Sequence, residues 1–165
     1  RIREGQSSAL SLPNTAEAVA LDVGNPLDLH PRDKKPVGYR LSLLARKVAY
    51  SQSLVYSGPR YRSHIVQGNQ VRIAFDHVGG GLTASGAVGG FAIAGSTGQF
   101  VWANAVISGN EVVVWSNSVS SPVEVRYAWE DNPQNANLYN AEGLPAADTV
   151  ERVMALGSGK RACMA

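Results

Sequence analysis

Asp28 and His30 stand two residues apart in LDLHPRDKKPVGYRLSLLARKVAY, Leu27 to Tyr50, just ahead of a proline and a basic amphipathic pattern. An imidazole can take a proton from a hydroxyl, and a carboxylate can hold the imidazole tautomer and stabilise the charge it gains. Asp28 is the nearest carboxylate to His30, and the alternative orienters are Asp22, further up the chain, or a backbone carbonyl. In isolation, a histidine in a loop before a helix is more often a surface or capping residue, and Asp28 is then a solvated loop carboxylate. The case for chemistry depends on the elements that would position the pair.

Those elements read as a strand, a loop and a helix. EAVALDVG, Glu17 to Gly24, is a short apolar run closed by glycine, the pattern of a buried parallel strand. After the loop NPLDLHPRD, the residues Val37, Leu41, Leu44 and Val48 draw an apolar stripe along a helix. Asp33 is placed to cap its amino end, Pro36 is tolerated in the first turn, and Arg46 and Lys47 suit the other end of the dipole. In a three-layer α/β fold such a loop lies at the carboxyl edge of the sheet, where ligands and catalytic side chains collect. A fully apolar strand also needs neighbours that residues 1–50 do not supply, so the remainder is expected upstream or on a partner.

Past Tyr56 the period becomes two. Val71, Ile73 and Phe75 alternate with Arg72, Ala74 and Asp76, while Val123, Val125, Tyr127 and Trp129 alternate with Glu124, Arg126, Ala128 and Glu130. With HIV, FAIAG, QFVWANAVI and EVVVWS separated by QGNQ, GGG, GSTG and SGN, the pattern predicts an antiparallel β-sandwich over 56–147. The glycines from Gly79 to Gly90 precede no helix and no Lys-Ser/Thr pair, so they do not form a phosphate cradle.

Composition narrows the function classes. A chain of 165 residues can bury roughly 70% of its unfolded surface, ample for a core. Fifteen basic against 13 acidic residues, with no basic block, leave no footprint for nucleic acid. No apolar run reaches about 18 residues, so no membrane span is expected. The single cysteine, Cys163, cannot form an internal disulfide. No spacing of His, Cys, Asp and Glu points to zinc, and His64 and His77 read as structural. The start at Arg1 in place of Met predicts a true start upstream.

Three blocks carry a resemblance: the run from Arg3 to Tyr50 containing DLHPRDK and VGYRL, the SGPRY that follows, and SSPVEVRYAWEDNPQNANLYNAEGLPA. Over about Arg3 to Ala146 the chain resembles the carboxy-terminal part of the sialate O-acetylesterase family, relatives of the SGNH-type serine esterases. The resemblance implies an α+β chain: the strand-loop-helix of a three-layer SGNH-type catalytic domain over 1–55, the sandwich over 56–147, and an unmatched tail over 148–165. It implies that His30 is the general base of an esterase triad, with Asp28 its orienter, although the superfamily usually places the carboxylate three residues from the histidine rather than two. The implied substrate is an acetylated carbohydrate such as a sialic acid, without metal or organic cofactor, in a periplasmic, secreted or lysosomal-type setting. A missing amino-terminal portion, or self-association, would complete the unit.

The family's nucleophile block, of Gly-Gln-Ser-Asn-Met type, and the oxyanion-hole glycine and asparagine do not occur in order. GQSS, Gly5 to Ser8, imitates the first of these, but its surroundings match a segment just before the histidine loop, so Ser7 reads as a decoy. After GLPA the chain departs from the family; Asp148 is placed to cap a short helix with Val150, Val153 and Met154 on one side. A second class of function stays open, a glycan-binding or structural sandwich. There Trp102, Trp115, Trp129, Tyr127 and Tyr139 would stack on sugar rings, and Asn132, Asn135, Asn137 and Asn140 would bond hydroxyls. Aromatic faces open on one concave surface would favour binding; a buried set would favour structure.

Overall fold

The computed structural model describes residues 2–152. The described residues form a mixed α+β arrangement with two α-helices, a short 3-10 helix over Ala9–Ser11 and three antiparallel sheets. Helix α1 spans Ile2–Ser8 and buries none of its side chains; α2 spans Lys35–Val48. The strands are β1 Arg60–Gln67, β2 Gln70–Asp76, β3 Leu82–Ala84, β4 Phe91–Ala94, β5 Phe100–Trp102, β6 Asn104–Ser108, β7 Glu111–Trp115, β8 Glu124–Tyr127, β9 Leu138–Asn140 and β10 Thr149–Arg152.

One four-stranded sheet runs β1-β2-β7-β6, the other β10-β8-β4-β5, and β3 pairs with β9. Two-residue loops close β1 to β2 and β6 to β7, with Gly68 and Gly109 both at positive φ, a backbone state open to glycine at no steric cost. The single residue Ala103 carries the chain from the second sheet into the first. Period-two alternation then delivers Val71, Ile73, Phe75, Val112 and Val114 from the first sheet, and Phe91, Ile93, Val125 and Tyr127 from the second, to one apolar cluster. These positions are closed to solvent, so burial of both sheets' inner faces is the main stabilising term here.

Several expectations are corrected. Glu17 to Gly24 is not a strand but an irregular segment, whose Val19 carbonyl and Asp22 carboxylate accept hydrogen bonds from Arg40. Helix α2 buries Arg40, Leu43 and Leu44, whereas Leu41 is 53% exposed, so the inward face is rotated from the expected stripe and includes Arg40, which pairs with Asp22. Lys34, not Asp33, is the residue before its first turn, and no side chain caps it; Pro36 does sit in the first turn. The alternation of β8 stops at Ala128, whose φ of 54° turns the chain. Trp129 therefore leaves the apolar row and lies beside the Arg126 guanidinium, 5.1 Å from its ring centre. Finally, Thr149–Arg152 pairs with β8 as a strand and not as a helix capped by Asp148; Val153, Met154 and Cys163 lie outside the described residues.

Candidate active site

The loop from Asn25 to Lys34 joins the irregular segment 17–24 to α2, and its shape comes from its own side chains. Asn25 Oδ1 accepts from the Leu27 backbone amide at 2.9 Å, and Asp28 Oδ1 accepts from the His30 backbone amide at 2.8 Å. Both are Asx-type turns, in which a short polar side chain mimics a backbone turn. Asp28 is half-buried and His30 exposed. Thus one carboxylate oxygen of Asp28 is spent on the backbone of His30 rather than on its imidazole, and none of the hydrogen bonds among the described residues uses the other.

Asp22, the alternative orienter, is committed elsewhere. Its two oxygens accept from Arg40 Nη1 at 2.7 Å and Nη2 at 2.6 Å, and Arg40 Nη1 also donates to the Val19 carbonyl at 2.7 Å. Tyr139 on β9 donates its hydroxyl to Asp22 at 3.3 Å, and burial first, then the Asp22 charge, holds that phenol above its ordinary pKa. Arg40 is 7% exposed. A guanidinium in so dry a place is tolerated because its fork meets a carboxylate bidentately. This pair ties α2, the segment ahead of the loop and the sheet region into one unit, and so fixes both roots of the histidine loop.

Ser7 lies in a second such cluster. Its hydroxyl donates to Glu17 Oε2 at 2.9 Å, and Glu17 pairs with Arg60 at 3.0 Å. The hydroxyl thus faces a carboxylate already neutralised by an arginine. Arg3 bonds the carbonyls of Ala128 and Glu130 and pairs with Asp148 at 3.3 Å, tethering α1 to the end of β8.

The remaining sequence motifs meet at one seam. Asn140, wholly buried, donates to the carbonyls of Ser57 and His77 and accepts from the Leu144 amide. Gly58 packs so closely that a Cβ there would collide with the carbonyl oxygens of Leu144 and Pro145. SGPRY and NLYN-GLPA are therefore the two sides of one contact, beside a narrow cleft lined by Glu17, Val19, Arg40, Tyr56 and Ser57. The sequence reading missed Arg40 and Asn140 as anchors. A signal for Arg40 was present: its spacing of three and four from Val37 and Leu44 puts it on the inward face, where an arginine requires a carboxylate.

The two other histidines do not join the loop. His64 Nδ1 lies 2.7 Å from the Tyr61 hydroxyl, and His77 packs edge-on to Tyr56. Burial lowers both imidazole pKa values, with the Arg60 charge adding to the effect at His77. Of the five aromatics considered for sugar stacking, Tyr127 is buried, Trp115, Trp129 and Tyr139 are half-buried, and Trp102 alone is exposed, at 58%. Asn137 spends its amide on Gly89, Ser85 and Ala87, and Glu142 takes the Gly80 amide, which assigns the glycine-rich stretch to internal contacts. Among the described residues no group of His, Cys, Asp and Glu is arranged to hold a metal, and no helix is long and apolar enough to cross a membrane.

Comparison with known proteins converges on one group. The sialate O-acetylesterase of Mus musculus is 49% identical over 53 residues, and that of Homo sapiens 47% identical over the same length. A solved carbohydrate acetylesterase from Xanthomonas citri superposes with a TM-score of 0.87 at 44% identity over 92% of this chain. The chain is similar to these acetylesterases, and the curated matches cover 29% of it. It spans 10% of the length of those curated relatives and 35% of the solved acetylesterase. No family model matches it.

Proposed function

We propose that this chain is the histidine-bearing part of a carbohydrate O-acetylesterase, removing acetyl groups from acetylated sugars such as sialic acids by Ser-His-Asp chemistry. The observation that carries the reading is the exposed His30 in a loop whose backbone is preset by Asp28, in a chain similar over 92% of its length to a carbohydrate acetylesterase. His30 takes the proton of a serine hydroxyl as that oxygen attacks the acetyl carbonyl, then returns it to the departing sugar oxygen. Water, activated by the same imidazole, releases acetate from the acyl-enzyme. Asp28 acts as orienter: its bond to the His30 amide fixes the loop, and its second oxygen is the one left to serve the imidazole. The serine comes from polypeptide beyond these residues, in an SGNH-type three-layer portion, and the two four-stranded sheets form the sandwich that follows it.

The sandwich serves as a scaffold in this reading, supported by aromatics and asparagines engaged in internal contacts. The test is acetate release from acetylated sugars. The isolated chain should show none above buffer, and Ser7→Ala should change nothing. Once the chain is completed by the remaining family portion, turnover should appear and fall by on the order of 10,000-fold or more in His30→Ala. Undiminished turnover in His30→Ala refutes the assignment, and turnover by the isolated chain that vanishes in Ser7→Ala makes Ser7 the nucleophile.

A further inference from the structure

We infer that Leu27 and Leu29 are docking contacts that seat the His30 loop against the serine-bearing portion of an acetylesterase polypeptide, an inference that rests on the role proposed for His30. The two leucines flank Asp28 and are 94% and 90% exposed. Isolated surface leucines need no explanation, but two almost fully exposed in one loop, beside the candidate base, form an apolar projection with no cover from the described residues. The projection is preorganised. The Asn25 and Asp28 turns and the Asp22–Arg40 pair hold the loop and its roots without using either leucine, so seating it costs little ordering entropy.

The occupant follows from length and charge. The solved acetylesterase accounts for 92% of this chain with 35% of its own, so the greater part of that polypeptide lies outside the match. Arg32, Lys34 and Lys35 are exposed just after the leucines in the chain, against the exposed Asp33 and the half-buried Asp28, so the complementary seat is an apolar hollow with an acidic rim. The hydroxyl that His30 serves would lie at the floor of that seat.

The test is a chimaera in which this chain replaces the matching part of the Xanthomonas citri acetylesterase, compared with the isolated chain. Leu27→Asp together with Leu29→Asp should shift the unfolding midpoint of the isolated chain by no more than about 1 °C, as expected of exposed sites. In the chimaera the same pair should lower the midpoint by about 5 °C or split unfolding into two steps. An unchanged midpoint in the chimaera overturns the inference. So does a chimaera that does not fold while the isolated chain does, or an isolated chain that sediments as a dimer dissociated by the two substitutions, which makes a second copy the occupant. His30→Ala should leave the chimaera's midpoint unchanged and abolish turnover. Retained turnover there sinks the catalytic reading while leaving the docking intact.

Discussion

Replacing Arg40 by methionine should destabilise the chain chiefly by stranding Asp22. Arg40 gives Asp22 two bonds of 2.7 and 2.6 Å, and the two side chains retain 9% and 16% exposure. Removing one member of a fully buried pair costs about 3–5 kcal/mol; because Asp22 keeps some solvent and the Tyr139 hydroxyl, about 3 kcal/mol is expected. The double variant Arg40→Met with Asp22→Leu leaves no charge behind. Its main orphan is the Val19 carbonyl, worth about 1 kcal/mol, so it should be more stable than the single variant by about 2 kcal/mol. Urea unfolding followed by circular dichroism measures both values. Amide exchange should also accelerate over residues 23–34 in the single variant, because the loop loses its tie. A double variant as unstable as the single one, or a single cost under about 1 kcal/mol, would refute the stranded-charge argument.

Further outcomes follow from the seam and the histidines. Gly58→Ala drives a methyl into the Leu144 and Pro145 carbonyls and should cost about 3 kcal/mol or prevent folding, read by thermal melting. Asn140→Ala unpairs two carbonyls and one amide in a dry site, for a loss of about 3 kcal/mol, checked by the same melt. Because folding lowers the pKa of His64 and His77, the folded state binds fewer protons there than the unfolded chain does. That part of the stability is present above the ordinary histidine pKa of 6.5 and is lost as pH falls below it toward the folded values. Urea midpoints should therefore drop between pH 7.5 and 5.5, and less so in His77→Asn, a residue that accepts the φ of 58° found there. A slope that His77→Asn leaves untouched removes His77 from the account.

Parts of the architecture were legible early because period-two alternation reports which face of a strand is wet. Val71, Ile73 and Phe75 turn inward as the alternation requires, and the glycine-bearing turns after β1 and β6 close hairpins. Legibility failed where a tertiary contact overrode the local pattern. The run from Glu17 to Gly24 has a strand's composition but no ladder partner, and Trp129 follows β8 in period yet is turned aside at Ala128. The inward face of α2 carries Arg40, paired with Asp22, while Leu41 of the expected stripe is 53% exposed.

The sequence by itself determined the resemblance to acetylesterases, the strand-rich half and the candidate pair Asp28 and His30, since those rest on residue identity and on local periodicity. Only the tertiary structure decided that Asp28 turns one oxygen to the His30 backbone, that Asp22 belongs to Arg40 and Tyr139, and that SGPRY meets GLPA across a seam. Periodicity reports solvent contact, which is local. Partner choice among charged groups depends on which segments, dozens of residues apart, are brought within hydrogen-bond reach.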